Sequence, residues 1–583
     1  MGKFRNFLLS KDTSETIECL KVLEAPCVKE VEKVVGEIHV IKGNTEVGKD
    51  VFTDLELLVS YNGEKGVIEN INRLALSGSQ IFLRELLLNP VSDPKILVKR
   101  QEVIKSLDNT DALEKLKGLE ESFLWMYTNA QTDELMTLYN MVFFSNILTQ
   151  PLNRRSEVLT GYNIYRIIAS PLIGIFSPIV YFVIPYLVVR MKMKLKMSFM
   201  SYLSLMFKGI FSSKSILLAS YPKIGYLSTA FSLIFYFQGI FNSVEVAKAS
   251  YQISNFITKK MNDVTQFINL AEDLVRSSWS EDMRTYFFIG EKDYKCKGEF
   301  SSVSSAPFSV FSNFGKKLSC FKYFNKGEYK TLLRRVYIID TISSIKQLPF
   351  SFPTYLEKKP VVETKGLWHP SLKTPVTNNL KIEKSLIITG PNAGGKSTLI
   401  KSALLSVIFA QTLSVTNAKA MSFTPFYYIN SQMNIPDCKG KESLFEAEMY
   451  RSKANLDKLK ELEGKRSIIF MDEIFNSTNP VEGISGAYAI AKHMSSYESN
   501  LSVITTHYLY LTKLSKNFPE RFQNLKMNVI QREDEIKYPY KVSPGISRQY
   551  IALELLKKNG FDKDVVEDAL EIKERLSQCP KPS

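Results

Sequence analysis

Three rhythms of apolar and polar positions follow one another along the chain. From Asp54 to Leu107, apolar residues recur at helical spacing on both sides of a break at Asn89 to Pro94, which predicts two helices joined by a turn. The second rhythm has no polar face. IIASPLIGIFSPIVYFVIPYLVV, residues 167 to 189, carries no charge between Arg166 and Arg190, and IGYLSTAFSLIFYFQGIF, residues 224 to 241, repeats the pattern. From Ser243 to about Leu348 charged helical patterns return, with the serine-rich stretch FSSVSSAPFSVFSNF (300 to 314) expected to be a loop. The third rhythm begins past Pro349 and Pro353, where SLIITG, SIIFMDE and LSVITTH alternate with helical stretches. That alternation is the signature of an α/β domain with a largely parallel sheet.

At 1.5 Å of rise per residue, a helix over 167 to 189 reaches across the roughly 30 Å hydrocarbon layer of a bilayer. Helices at the surface of a soluble protein keep a polar side towards water, and these two runs have none. Pro171, Pro178 and Pro185 recur every seven residues and fall close to one helical face. Inside a soluble helix each costs about 3 kcal/mol, whereas membrane helices tolerate them better. Residues 166–245 are thus expected to form an apolar hairpin, transmembrane or membrane-embedded, with buried core helices as the alternative. Between the runs stand Arg190, Lys192, Lys194, Lys196, Lys208, Lys214 and Lys223 and no acidic residue. With both ends of a crossing hairpin in the cytosol, that basic segment would lie outside, against the positive-inside tendency. A hairpin that dips into the bilayer and rests its basic loop on anionic headgroups avoids the conflict.

Charge and cysteine usage narrow the partners and the compartment. The 583 residues include 75 Lys+Arg against 60 Asp+Glu, a net charge of +15, which suits nucleic acid or an acidic lipid surface. Six cysteines lie far apart with no CxxC pair, so neither a zinc site nor a disulfide framework is indicated, and a reducing compartment is the default. His39, His369, His493 and His507 form no local ligand pattern. The N-terminal MGKFRNFLLSKDTSE is too weakly apolar for a secretory signal. The α/β domain is therefore expected to face cytosol or nucleus.

Chemistry concentrates in that domain. SLIITGPNAGGKSTLIKSALL contains GxxxxGK[ST] at Gly390, Gly395, Lys396 and Ser397, preceded by an apolar strand and followed by a helix. Glycines there let backbone N–H groups close around phosphates, Lys396 neutralises the β and γ oxygens, Ser397 ligates Mg²⁺, and the helix N-terminus adds its dipole. The expected ATP-binding residues are Gly390, Pro391, Asn392, Gly394, Gly395, Lys396, Ser397 and Thr398. Some 75 residues on, RSIIFMDEIF ends an apolar strand with Asp472 and Glu473. Asp472 would hold Mg²⁺ through water, and Glu473 would polarise the water that attacks in line. Alone, such a pair is an ordinary solvated strand end; beside a phosphate loop it is a catalytic pair. LSVITTHY ends in His507, expected near the γ-phosphate because ligands of such sheets gather at strand C-termini.

On these residues the chain resembles the MutS-type ATPases of the ABC superclass. TGPNAGGKST differs from that family's usual loop mainly at Ala393, where methionine is common. GKESLFEAEM (440 to 449) is similar to its signature loop, DEIFNSTNPVEG (472 to 483) to its acidic pair and following loop, and THY (506 to 508) to its histidine strand end. PGISRQYIALELLKKNGF (544 to 561) resembles the segment closing its ATPase domain. PVVETKGLWHPSL (360 to 372) resembles the lead-in strand, and GSQIFLRELLLNPVSDPKILVKRQEVIKSL (78 to 107) the start of its helical core and lever. The likeness covers most of 54 to 107 and 330 to 575.

The resemblance implies a homodimer or MutS-like heterodimer in which each nucleotide lies between one subunit's phosphate loop and the partner's signature loop. Ser443 would then contact the γ-phosphate in trans, and Asn479 would lie in the loop crossing the interface. It also implies a DNA clamp serving mismatch repair or recombination, and some MutS-related members place apolar spans between core and ATPase. Two departures stand out. The mismatch-reading N-terminal domain has no counterpart, and where family members carry an aromatic residue near the adenine this chain reads TPVTNN (374 to 379), with Trp368 as the candidate substitute.

The expected fold is multidomain: a largely α-helical core and lever region with an apolar helical hairpin, followed by a C-terminal α/β P-loop ATPase domain. The expected segments are 1–53 (N-terminal, without motif), 54–165 (helical core and lever), 166–245 (apolar hairpin), 246–347 (remaining core and clamp) and 348–583 (ATPase and helical tail). Lys316, Lys317, Lys322 and Lys326, with Lys330, Arg334 and Arg335, are the candidate DNA contacts, and any affinity they confer should fall steeply with salt. ATP and Mg²⁺ are the expected cofactors; DNA, a second subunit and a lipid membrane are the expected partners. The competing readings are a membrane-linked ABC-type ATPase that does not act on DNA and an ATP-binding scaffold without turnover.

Overall fold

The computed structural model describes residues 28–578 apart from 37, 42, 60–64, 108–109, 129–137, 193–195, 212–221, 289–309, 325, 434–443, 533–534 and 548–560. The chain divides into two units. Glu37–Thr110, Ser278–Lys292 and Tyr337–Ser583 make one; Met1–Gly36, Asp111–Ser277 and Asp293–Val336 make the other.

The first unit is built on a seven-stranded sheet. Its strands are β1 (Glu46–Val47), β2 (Ser385–Thr389), β3 (Tyr428–Gln432), β4 (Ser467–Asp472), β5 (Asn500–Thr506), β6 (Phe522–Met527) and β7 (Val542–Pro544). They are ordered β1-β3-β4-β5-β2-β6-β7, and all neighbours run parallel except β6 and β7. Every residue of β2 and β5 is buried, as continuous apolar runs between two helical layers require. β2 has β5 on one side and β6 on the other, so the chain connections diverge there and leave a crevice at its C-terminal end. A smaller four-stranded sheet, Thr354–Tyr355, Ala420–Phe423, Val362–Leu367 and Asn378–Ile382 in that order, joins the same unit.

The two helices expected around Asn89 to Pro94 are Ser79–Leu87 and Pro94–Ser106. Asp93 caps the second by accepting from Lys95 N at 2.9 Å, with Pro94 in the first turn, where a missing N–H costs nothing. Arg100 on that helix is fully buried and donates to Tyr286 O and Thr412 O, each at 2.7 Å. Residues 37–110, expected to divide between an N-terminal segment and a helical core, thus cluster with the seven-stranded sheet. The pairing of β1 with β3 was invisible in sequence because a two-residue edge strand has no period to read.

The second unit is helical. Ser156–Ile164, the π-helical Tyr165–Ala169 and Ser170–Lys192 follow one another without a break. Its Ser156–Ser177 part is, among the described residues, the one helix long and apolar enough to cross a membrane, and only 17% of that window is buried. The second uncharged run forms the start of a single helix of 57 residues, Pro222–Ser278, about 85 Å long. Nothing after Phe241 breaks the helix, since NSVEVAKAS contains neither proline nor glycine. Tyr236 Oη donates to Ile175 O at 3.0 Å and Ser170 Oγ lies 3.4 Å from Ser243 Oγ, so the two runs lie antiparallel side by side. Val310–Lys322 is helical, so its first residues are not the loop expected for 300 to 314, and residues 300 to 309 lie outside the described ones. Gly315 lets that helix touch the Ser156–Ile164 helix; a Cβ there would meet Ser156 O at 1.9 Å. The core is aromatic, with Phe123 stacked on Phe267 at 4.4 Å and Phe321 between Trp125 and Phe143.

Candidate functional site

The crevice at the end of β2 is where the sequence placed its phosphate loop. β2 delivers the chain to Gly390, whose missing side chain leaves room for Met527: a Cβ would come within 2.9 Å of it. Asn392–Gly394 forms a 3₁₀ turn, and Gly395 then adopts φ +85°, the left-handed conformation that side-chain-bearing residues avoid. That turn starts the helix Lys396–Thr412 with its N–H groups facing the loop. Lys396 is buried, and its Nζ donates to Gly390 O at 2.9 Å, to Pro391 O and Asn392 Oδ1 at 3.3 Å, and to Glu473 Oε1 at 3.1 Å.

Glu473 is the point where three strands converge. It follows β4 at φ +52°, and Phe475 follows at φ +61°, both left-handed without being glycine; each such residue stores about 1–3 kcal/mol of strain and persists where packing over-determines it. Glu473 N is held by Thr505 O at 3.1 Å on β5. Its Oε1 accepts from both Lys396 Nζ and, at 2.5 Å, His507 Nε2, while Oε2 accepts from Asn476 Nδ2 at 3.0 Å. Burial pushes the carboxyl up. The hydrogen bond from His507 and the charge of Lys396 outweigh it, so the group sits below the ordinary carboxylate range and is ionised at neutral pH. Beside it, Asp472 accepts from Thr505 Oγ1.

Hard cations such as Mg²⁺ take oxygen donors and keep several waters. The Ser397 hydroxyl at the helix start and the partly exposed Asp472 carboxylate are donors of that kind. Among the described residues no three His, Cys, Asp or Glu cluster as a metal cage, so phosphate oxygens and water would complete the shell of a cation held there.

A cavity of about 550 Å³ opens beside the loop, lined among others by Leu367, His369, Asn378, Gly395, Thr398 and Tyr540, within the range of small-ligand pockets. Tyr540 stands at φ +54°, and its ring leaves only 3.1 Å to a Cβ on Gly395. Asn378 fixes this turn from both sides, donating to Tyr540 O at 2.9 Å and accepting from Val542 N at 2.9 Å. Burial and the nearby Lys401 charge push His369 down to about 4, so it is a neutral imidazole at physiological pH. Trp368, the candidate aromatic, is not in the lining; it packs edge-on against Phe350 at 5.6 Å. Tyr540 and His369 are the residues the sequence reading missed. The signal for Tyr540 was the YPY triplet just ahead of PGISRQY.

Residues 386–577 match the family model for MutS domain V. This segment is similar to MutS domain V. Domain V is the ATPase domain of MutS-type proteins, which use ATP with Mg²⁺. Within this segment the structure brings Lys396, Glu473 and His507 into contact and sets Gly390, Pro391, Asn392, Gly394, Gly395, Ser397 and Thr398 around the same loop. Asn479 caps the helix Pro480–Met494, accepting from Val481 N at 3.0 Å, and is exposed. Ser443 lies outside the described residues.

The candidate DNA contacts sit in the helical unit. Lys316, Lys317 and Lys322 are half-buried on Val310–Lys322, and Lys326 begins the next helix. Lys322 rests over the Phe143 ring at 5.5 Å, and burial lowers its pKa. Arg335 is buried, 8% exposed, and so corrects its place among the phosphate contacts.

Proposed function

We propose that the chain is a MutS-like ATPase that couples ATP binding and hydrolysis on domain V to a clamp on DNA, in mismatch repair or recombination, as a homodimer or MutS-like heterodimer attached to a membrane. The observation that carries the ATPase reading is the meeting of Lys396 and His507 on one carboxylate oxygen of Glu473 at the C-terminal edge of a parallel sheet. In this reading the base occupies the cavity against Tyr540 and His369, and the phosphates lie over Gly390 to Thr398. Lys396 exchanges its carbonyl partners for phosphate oxygens. That frees Glu473 Oε1 to accept from the attacking water, with His507 holding the carboxylate in place. Mg²⁺, held by Ser397 and Asp472, would neutralise charge developing on the phosphates. Ser443 of a second subunit would close the site.

MutS-family proteins generally bind DNA and act as dimers, and the net charge of +15 favours phosphate contact through Lys316, Lys317 and Lys326. The membrane part rests on exposed apolar side chains along both antiparallel runs, among them Ile173, Phe176, Ile184, Phe237 and Phe241, and on exposed Arg190, Lys192 and Lys196 beyond them. The ATPase domain would then face cytosol or nucleus.

Steady-state ATPase of the full chain with homoduplex, mismatched and branched DNA, with and without liposomes, tests the proposal. DNA stimulation that falls with salt is expected. Stimulation by liposomes alone points to the ABC-type ATPase that does not act on DNA, and equal rates in all conditions overturn both the DNA and membrane parts. Unchanged turnover in Glu473→Gln would leave a scaffold that does not hydrolyse ATP.

A further inference from the structure

The segment from Glu46 to Glu56 lies more than 300 residues upstream of the phosphate loop, yet it touches the elements that carry the site. β1 adds to the sheet edge at Tyr428 and Ile429. Glu46 pairs with Lys458 at 2.6 Å and Asp50 with Arg451 at 3.1 Å, both on the helix Leu444–Glu461. Glu56 pairs with Lys401, on the phosphate-loop helix, at 2.9 Å. These pairs are partly exposed and individually weak. Asp54 is different: it is 1% exposed, and its Oδ2 accepts from Ser431 Oγ at 2.7 Å and from Met433 N at 3.1 Å. Arg451 Nη1 stands 4.0 Å from the same oxygen.

Those two donors flank Gln432, and from there hydrogen bonds run on towards the catalytic carboxylate, buried around Gln432 and increasingly exposed at Ser477 and Asn476. Gln432 Nε2 donates to Glu448 O at 3.2 Å, and Gln432 Oε1 accepts from Ser452 Oγ at 3.2 Å. Glu448 Oε2 accepts from Ser477 Oγ at 2.9 Å, next in sequence to Asn476, which donates to Glu473 Oε2. A buried acceptor with two donors fixes both, because losing it leaves both unsatisfied in a low dielectric.

We propose that Asp54 is a positioning residue for the ATPase site: as a buried acceptor it locks the end of β3 against the helix Leu444–Glu461, and through Glu448 and Ser477 it sets the loop that carries Glu473. This rests on the ATPase reading above. Asp54 touches no nucleotide; it acts through Gln432 and Glu448. Its loss should therefore lower kcat while leaving the KM for ATP, set by the phosphate loop and the Tyr540 cavity, near the wild-type value.

Asp54→Ala and Asp54→Asn in the full chain test this, read by ATP kinetics, thermal melting and amide hydrogen exchange. The expected result is a kcat loss of about tenfold or more in D54A with KM changed less than about twofold, recovery of most of the activity in D54N, which keeps an acceptor oxygen, and faster exchange in D54A at 429–433 and 444–455 but not at 396–412. Wild-type kcat in D54A overturns the proposal. So does D54N as slow as D54A, or kcat and ATP affinity falling together with the folded fraction. If the wild-type chain hydrolyses no ATP, the ATPase reading fails and exchange alone decides: unchanged protection of 429–433 in D54A then overturns the positioning role.

Discussion

Glu473→Gln should separate binding from turnover, because Lys396 has one ammonium and two claimants. The side chain of Lys396 is 2% exposed and its Nζ lies 3.1 Å from Glu473 Oε1. At that distance and an effective dielectric of about 20, the attraction is roughly 5 kcal/mol before desolvation. Removing the ammonium from water offsets most of it, leaving a net of about 1–2 kcal/mol. An incoming phosphate oxygen must compete with this pair for the same protons. Glutamine keeps the shape and an acceptor while removing the charge, so ATP should bind about 5- to 30-fold more tightly to the variant, following from tenfold per 1.4 kcal/mol. Turnover should fall about 10²- to 10⁴-fold, the usual contribution of a positioned base. Equilibrium dialysis with labelled ATP and Mg²⁺ measures the first quantity, and phosphate release at saturating ATP the second. Weaker binding by E473Q would refute the competition, and unchanged phosphate release would refute the assignment of Glu473 as the base.

Three further outcomes follow from particular contacts. Tyr540→Ala should raise the Kd for ATP by about 5- to 150-fold, equivalent to the 1–3 kcal/mol of base stacking on an aromatic ring, with kcat at saturation unchanged; an unaltered Kd in the same dialysis assay places the base elsewhere. Asp54 has a carboxyl raised by burial to about 6 from 3.8, so between those values the folded state binds more protons than the unfolded one and stability falls as pH rises through about 4 to 6. D54N should lack that slope in urea melts and be more stable at pH 7 by up to the order of 3 kcal/mol, whereas a parallel slope in both proteins refutes the burial argument. Replacing the exposed Arg190, Lys192 and Lys196 together by Glu should abolish co-flotation with liposomes of anionic lipid while leaving DNA-free ATPase activity intact; undiminished flotation would show that headgroup charge plays no part.

What was legible in the sequence tracks how local its cause is. The phosphate loop, the acidic pair and His507 each sit where an apolar strand ends, so period and motif placed them, and the parallel sheet then brought Lys396, Glu473 and His507 together. The helix pair around the break at Asn89 to Pro94 was legible because helical spacing and a proline break are local signals. Tyr540 was missed because its role depends on a left-handed turn pinned by Asn378, 162 residues away. Asp54 was missed for the same reason: DLELL looks like the start of an amphipathic helix, and nothing within it announces Ser431 and Met433 as partners. The end of the second apolar helix was not legible because composition marks where charge begins but not where a helix ends, and the Pro222–Ser278 helix continues straight from one regime into the other.

Within the unit built on the seven-stranded sheet, the contacts able to transmit a change at the phosphate loop are the buried polar ones. Surface pairs such as Glu46–Lys458 and Asp50–Arg451 exchange freely with water and contribute about 0–1 kcal/mol each, so they can follow a movement without enforcing it. Arg100 cannot follow so cheaply. It is wholly buried, burial lowers its pKa to about 10, and it therefore remains charged at neutral pH, with Thr412 O at the end of the phosphate-loop helix as one of its acceptors. A shift of that helix by an ångström would strand a buried guanidinium donor at a cost of about 1–3 kcal/mol or more, unless the helix Pro94–Ser106 moved with it. Asp54 imposes the same condition on β3. On the proposed ATPase reading, a nucleotide that tightened the phosphate loop would act on 46–56 and 94–106 together, which would make these two upstream segments as much a part of the machinery as the strands that carry Lys396 and Glu473.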